Sequence, residues 1–338
     1  MVPVSVITGF LGSGKTSLLR RLLADPQMGE TAVLVNEFGE VGLDHLLVRK
    51  VDENIVLLNS GCLCCAVRDD LVETLDDLWS KRLRGDLIPF ARVAIETTGL
   101  ADPAPIIQTL MTDESLSPYY RFTNLIATVD ATHADRQLDE HMEAVKQAAM
   151  ADRLVITKVD LSGAETRASL RGRLTALNPS ANQFESTLET GPGAAELLGL
   201  ETFTAASKSD DVRRWLNAEA YHGAADHAHD APIHDSGRHD DRIGAFSLVL
   251  DSPLDWTRFQ EWLSLLLAAR GEQILRIKGI LNVAGRPKPV VLHGVQHVVY
   301  PPSQLPEWPE DDRRSRLVFI TKDLSRTAIE NALRRLLD

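Results

Sequence analysis

Gly9-Phe10-Leu11-Gly12-Ser13-Gly14-Lys15-Thr16 has the G-x-x-x-x-G-K-T spacing of a phosphate-binding loop. It follows a short apolar run at 4–8 and opens an apolar-periodic segment, the strand–loop–helix context that such a loop requires. The glycines let the backbone curl so that N–H groups point inward at phosphate oxygens, and the helix N-terminus adds its positive dipole. Gly9, Gly12, Ser13 and Gly14 are the expected cradle. Lys15 is expected on the β- and γ-phosphates, Thr16 on Mg²⁺, and Ser17 one position further along the helix at the same phosphates. Thr157-Lys158-Val159-Asp160 follows another apolar run. A carboxylate at Asp160 can accept from guanine N1 and N2, a pattern that adenine does not offer, and the Lys158 stem can pack across a base. GTP is therefore expected over ATP.

The run 92–95 ends in Glu96-Thr97-Thr98-Gly99. An acid at a strand end in this chain position is where phosphate-loop proteins orient Mg²⁺, here Glu in place of the commoner Asp. Gly99 would let a backbone N–H approach the γ-phosphate. The segment 36–44 holds Glu37, Glu40 and Asp44; it reads equally as a solvated acidic loop or as ligands for Mg²⁺ or a second metal.

All three cysteines, Cys62, Cys64 and Cys65, fall within four residues. Thiolates this close suit Zn²⁺ or Cu(I). A four-cysteine site within one chain is excluded by the count; an open, incomplete site is what a metal carrier would need, and Glu37 or Glu40 could complete it. A reversible thiol bond is the competing reading. Five of the ten histidines lie at 222, 227, 229, 234 and 239, interleaved with aspartates, a composition suited to weak capture of Zn²⁺, Ni²⁺ or Co²⁺, or simply to a solvated linker.

The elements that must position these residues alternate in type. Strand patterns at 4–8, 32–36, 55–58, 92–96, 125–130, 154–157 and 182–186 are separated by helical patterns at 15–24, 68–83, 104–112, 135–150 and 165–177. This predicts an α/β, P-loop NTPase-type fold with a mostly parallel sheet flanked by helices. Past the Asp/His-rich stretch, strand patterns at 244–251, 274–283, 288–293, 296–300 and 317–321 and helices at 254–269 and 324–337 predict a small α+β C-terminal domain. The expected division is 1–221, a linker at 222–242, and 243–338. Trp256, Trp262 and Trp308 are expected in cores, and His293 and His297 in structural hydrogen bonds.

GFLGSGKTS, VNEFGEVGLD, NSGCLCCAVRDDL, ETTGLADP and TKVD, in that order, resemble the CobW-type GTPases, which stand with the metal-insertion GTPases of urease and hydrogenase maturation. The resemblance covers most of the chain. It implies a GTP-driven metallochaperone that cycles between GTP and GDP. Cys62, Cys64 and Cys65 would bind a transition metal, most often zinc, with Co²⁺ or Ni²⁺ open, and hydrolysis would be coupled to transfer of that metal to a client metalloprotein. Thr157 stands where Asn is commoner, and Ala66 follows the cysteines where a histidine ligand would be needed to match some relatives. Alternatives are a redox-regulated GTPase, a metal-storage or sensing protein, and a maturation factor for a cobalt enzyme or the cobalamin pathway. A nucleotide-dependent homodimer is compatible with each.

The 338 residues are 44% hydrophobic and 25% charged, as in ordinary globular proteins. Acidic residues number 48 against 36 basic, a net charge of −12, which argues against a general grip on nucleic acid. No apolar run is long enough for a bilayer and no secretory signal is read at the start, so no membrane partner and a cytoplasmic setting are expected.

Overall fold

In a computed structural model, the described residues are 1–36, 55–58, 66–87, 89–198 and 242–337. They divide into two units. The first holds the described residues that fall within 1–134, 151–168 and 182–201; the second holds those within 135–150, 169–181 and 202–338.

The first unit is built on seven strands: β1 (Val2–Gly9), β2 (Thr31–Asn36), β3 (Ile55–Leu58), β4 (Arg92–Glu96), β5 (Tyr120–Asp130), β6 (Arg153–Thr157) and β7 (Asn182–Glu185). All pair in parallel, in the order β3-β2-β4-β1-β5-β6-β7. Strands covered on both faces need apolar residues at consecutive positions, and Val4, Val6 and Ile7 are all buried. Helix α1 (Lys15–Leu23) follows β1 directly and places Leu18, Leu19 and Leu22, spaced three and four apart, against Ile7, Val33, Ala94, Ile126 and Val155. The chain continues through α2 (Ala66–Arg84) and α3 (Ala104–Thr112). Asp102 starts α3 by accepting from the Ala104 N–H at 3.0 Å, so the Asp-Pro pair acts as a helix start. This strand order sets the C-terminal ends of β4, β1, β5 and β6 side by side, the edge at which open parallel sheets bind ligands. It is the P-loop NTPase arrangement.

The second unit contains α4 (Ala134–Glu140) from its second residue, α5 (Met142–Met150) and most of α6 (Ala164–Leu177). The sequence pattern at 135–150 reads as one helix; the structure divides it at His141. Arg173 on α6 anchors the first of the two helices, taking the Asp135 carbonyl at 3.0 Å and the Asp139 carboxylate at 2.6 Å. Asn178 ends α6 and donates its amide to the carbonyls of Ala148 and Ala149, both at 2.9 Å.

The same unit holds an antiparallel sheet of β8 (Ile243–Leu250), β9 (Ile274–Leu281), β10 (Val290–Val295), β11 (Val298–Val299), β12 (Ser303–Gln304) and β13 (Ser315–Lys322), in the order β11-β10-β9-β13-β8 with β12 beside β10. After the short α7 (Ala194–Leu198) of the first unit, which the sequence pattern does not show, its helices are α8 (Trp256–Arg270) and α9 (Arg326–Leu337). Asp255 caps α8 through the Arg258 N–H at 3.0 Å, and Phe259, Trp262, Leu263, Leu266 and Leu267 form its buried face. Trp256 and Trp308 pack at the edges of apolar clusters, as expected. The pattern at 296–300 reads as one strand, but Gln296 turns at φ 48° and only Val298–Val299 pair. His297 Nδ1 lies 2.9 Å from the Leu267 carbonyl, a structural contact.

Candidate functional site

The phosphate loop joins the end of β1 to α1. Gly12 and Gly14 stand at φ 70° and 90°, and Ser13 is buried with its Oγ 2.6 Å from Thr128 Oγ1 on β5. Lys15 is only 8% exposed. Its Nζ donates to the carbonyls of Gly9 at 2.9 Å and Phe10 at 3.2 Å, so the ammonium lies inside the curl of the loop. Thr16, one residue on, donates its hydroxyl to Glu96 Oε1 at 2.6 Å. Glu96 ends β4, which pairs with β1 in register from Val4–Val93 to Ile7–Glu96, and it is 4% exposed. The spacing of two strands thus brings together residues 80 positions apart. Hydroxyl and carboxylate oxygens are the hard donors that Mg²⁺ takes, so the pair fits that ion. Ser17 is exposed on the first turn of α1.

Beyond Glu96 the Thr97 N–H donates to the Ile7 carbonyl at 2.9 Å, and its hydroxyl meets Thr8 Oγ1 at 2.9 Å. Gly99 comes back against the loop: a Cβ there would stand 2.8 Å from both N and Cα of Leu11. A larger residue would displace the phosphate-loop backbone, so the 97–99 turn and the loop are in close packing at this point.

The guanine-motif residues sit at the end of β6. Thr157 is buried, and its hydroxyl donates to the Ser13 carbonyl at 2.7 Å, tying this strand to the phosphate loop. Lys158 is half-buried with φ 56°, a left-handed conformation rare outside glycine. Asp160 is exposed, within the 3-10 turn Val159–Leu161, whose carbonyl at Val159 is held by Arg167 Nη1 at 2.9 Å. The structure therefore brings Gly9, Gly12, Ser13, Gly14, Lys15, Thr16, Glu96, Gly99 and Thr157 to one sheet edge, with Lys158 and Asp160 on the turn that follows β6.

Two positions that the sequence reading does not single out belong here. Thr128 braces Ser13. Asp130, at the end of β5, accepts from Lys158 Nζ at 2.7 Å. Their signal was present as an Asp ending an apolar strand, but nothing local shows what it faces. Burial alone would push the Asp130 carboxyl upward, yet donation from Lys158, Thr132 and His133 prevails and holds it down at about 2. A depressed native value stabilises the fold above the unfolded-chain value of 3.8, and that contribution is lost as pH falls through about 2. Asp130→Asn should flatten the acid limb of the urea-stability profile by about 2 kcal/mol between about pH 5 and 2. Superimposable acid limbs for the two proteins would remove this account.

Glu37, Glu40, Cys62, Cys64 and Cys65 lie outside the described residues, as do Ala205-Ala206-Ser207-Lys208, which the sequence offers as a backbone-mediated guanine loop, and the histidines from 222 to 239. Among the described residues no group of three or more His, Cys, Asp or Glu is placed to hold a metal, and no helix is long and apolar enough to cross a membrane.

Residues 3–185 match the family described as CobW/HypB/UreG, nucleotide-binding domain, and residues 243–337 match the cobalamin synthesis protein cobW C-terminal domain. The chain belongs to the CobW/HypB/UreG family. The nucleotide-binding match of this CobW/HypB/UreG chain runs from β1 to the end of β7, so the phosphate loop, Glu96, Asp130 and Thr157 all fall within it. Along 331 residues the chain is 33% identical to the zinc chaperone YjiA of Escherichia coli strain K12, covering 98% of this chain and 97% of that protein. It is 30% identical over 349 residues to the zinc-regulated GTPase metalloprotein activator 1 of Schizosaccharomyces pombe, covering 96% and 83%. The crystal structure of Zn(II)-bound YjiA GTPase from E. coli superposes with a TM-score of 0.68 at 28% identity, over 100% of this chain and 99% of that one.

Proposed function

We infer that this chain is a GTP-dependent metallochaperone: a GTPase that holds a transition metal, zinc by preference, at Cys62, Cys64 and Cys65, and passes it to a client metalloprotein as the nucleotide turns over. The observation that carries the nucleotide half is the convergence on one loop of Lys15, of Thr16 bonded to Glu96, and of Thr157 bonded to Ser13. The phosphate, metal-ion and base sides of a GTPase meet there through protein hydrogen bonds. The metal half rests on the cysteine spacing and on near full-length similarity to proteins named zinc chaperones.

Each residue has a definable task. The loop N–H groups from Gly9 to Thr16 and the α1 N-terminus take the phosphates, and Lys15 exchanges its two carbonyl partners for phosphate oxygens. Thr16 and Glu96 would hold Mg²⁺, which would supply neutralisation of phosphate charge there. Ser17 contacts the phosphates from α1. Gly99 brings its N–H to the γ-phosphate side, and its contact with Leu11 transmits the state of that phosphate into the 97–102 turn. Asp160 reads the guanine edge and Lys158 covers the base. Water attacks the γ-phosphorus in line, and charge in the transition state falls on the loop and on Lys15. Glu37 or Glu40 closes the thiolate site while the metal is held and gives up its position on transfer. The metal is cargo, so a site short of four thiolates suits it: the open position admits the client's ligand. The client is the partner, and a second copy of the chain joins in the GTP state.

Coupling between the nucleotide and the cargo is measurable. Zn²⁺ affinity, taken by competition with a chromogenic chelator, should differ by about 10-fold or more between the GDP complex and the complex with a non-hydrolysable GTP analogue. By linkage, Zn²⁺ must shift the affinity difference between the two nucleotides by the same factor. Identical zinc affinities in both complexes would leave a GTPase with no delivery function.

A further inference from the structure

Asp130 is 2% exposed and faces Thr157 in register across β5 and β6. A carboxylate buried this deeply must be satisfied by strong donors. Four converge on it. Thr132 donates its N–H at 2.8 Å and its hydroxyl at 2.6 Å to Oδ1; His133 Nδ1 lies 3.2 Å from Oδ2, and Lys158 Nζ donates to Oδ2 at 2.7 Å. The first three come from the turn immediately after β5 and fix the carboxylate from its own chain. Lys158 comes from the other strand, and its side chain remains 34% exposed. The buried carboxylate thus grips the tip of a lysine whose stem runs along the surface. The residue that carries this stem is held at φ 56° and ψ 33°, and such strain persists where the surroundings over-determine it.

We propose that Asp130 is a positioning residue for guanine recognition: by holding the Lys158 ammonium, it fixes the lysine's alkyl stem as a preformed wall against which the base packs. The proposal rests on the guanine reading given under Proposed function and deepens it. Its physical content is preorganisation. An unanchored lysine stem samples many rotamers and must be ordered when the base arrives, whereas an anchored one is ordered beforehand, so that cost is removed from the binding step. Neither Asp130 nor its carboxylate reaches the base; the effect passes through Lys158.

The test is a double-mutant cycle on the full chain with a fluorescent GDP and with inorganic triphosphate, which lacks a base. Asp130→Asn and Lys158→Met should each weaken GDP binding by about 10-fold. The doubly substituted protein should be no weaker than either single variant, because each removes the same contact. Lys158→Arg, which keeps a donor for Asp130 and an alkyl stem, should stay within about 3-fold of wild type. Triphosphate affinity should change less than about 2-fold in all of them, whereas a general loosening of the site would weaken both probes. Multiplying losses in the double variant, parallel loss of triphosphate, or full GDP affinity in Lys158→Met would each overturn the proposal. If Asp130→Asn does not fold, Lys158→Met and Lys158→Arg decide it alone, since that side chain is partly exposed. Failure of the underlying reading is visible separately: wild type would then bind GDP and ADP alike before any variant is made.

Discussion

Lys15→Ala should lower kcat/KM for GTP by about 10³-fold or more, because it removes the single mobile cation from a loop whose other donors are neutral N–H groups. The ammonium sits 2.9 and 3.2 Å from the carbonyls of Gly9 and Phe10 and is almost fully shielded from water. In the proposed nucleotide complex the ammonium already lies inside the curl of the loop, so little reorganisation is needed as charge develops on the γ-phosphoryl group. A charged hydrogen bond in a shielded site is worth several times an exposed one. Single-turnover hydrolysis by the variant, set beside its thermal unfolding, separates lost chemistry from lost folding. A variant that hydrolyses GTP within about 3-fold of wild type would place the phosphate site elsewhere.

Gly9→Ala should both abolish nucleotide binding and destabilise the chain by about 3 kcal/mol or more. Gly9 is the last residue of β1, paired with Thr128 of β5, at φ 143°. A Cβ there would lie 2.2 Å from Thr128 Oγ1, 2.5 Å from the Thr128 carbonyl and 2.7 Å from Ser13 Oγ. Two of these atoms form the brace between Ser13 and Thr128, and the third is backbone in a central strand. The clash cannot be relieved by a rotamer change, so β1 and β5 must separate at the point where the loop begins. Gly12 is the control: at φ 70° but with nothing within 4 Å of its Cβ position, Gly12→Ala should cost only about 1 kcal/mol of backbone strain. Urea midpoints and GDP titrations of both variants, side by side, check the contrast. Equal effects at the two positions would mean that close packing under the loop is not what selects glycine at residue 9.

Much of this chain is legible one segment at a time. The G-x-x-x-x-G-K-T spacing requires a strand before it and a helix after it, and β1 and α1 stand there. The alternation of short apolar runs with amphipathic ones gives the strands of a parallel sheet, and six of its seven described strands match their pattern to within a residue or two at either end. Backbone propensity and the period of apolar positions are set within a few residues, so residue type marks where such elements stand. The exceptions show where that ends. β5 starts at Tyr120, five residues before its pattern, because pairing with β1 from Val2 onward extends it. The 135–150 segment, one helix by its periodicity, is two helices parted at His141.

Residue types and spacing by themselves determined the phosphate loop, the acid at the end of β4, the guanine motif and the clustered thiols. Only the tertiary structure decided that Glu96 bonds Thr16, that Thr157 holds the Ser13 carbonyl, and that Asp130 grips Lys158. Each of these joins residues 28 to 144 positions apart. Such a pairing follows from the order in which strands are laid side by side, a choice made by packing the whole sheet, and no local stretch of sequence carries it.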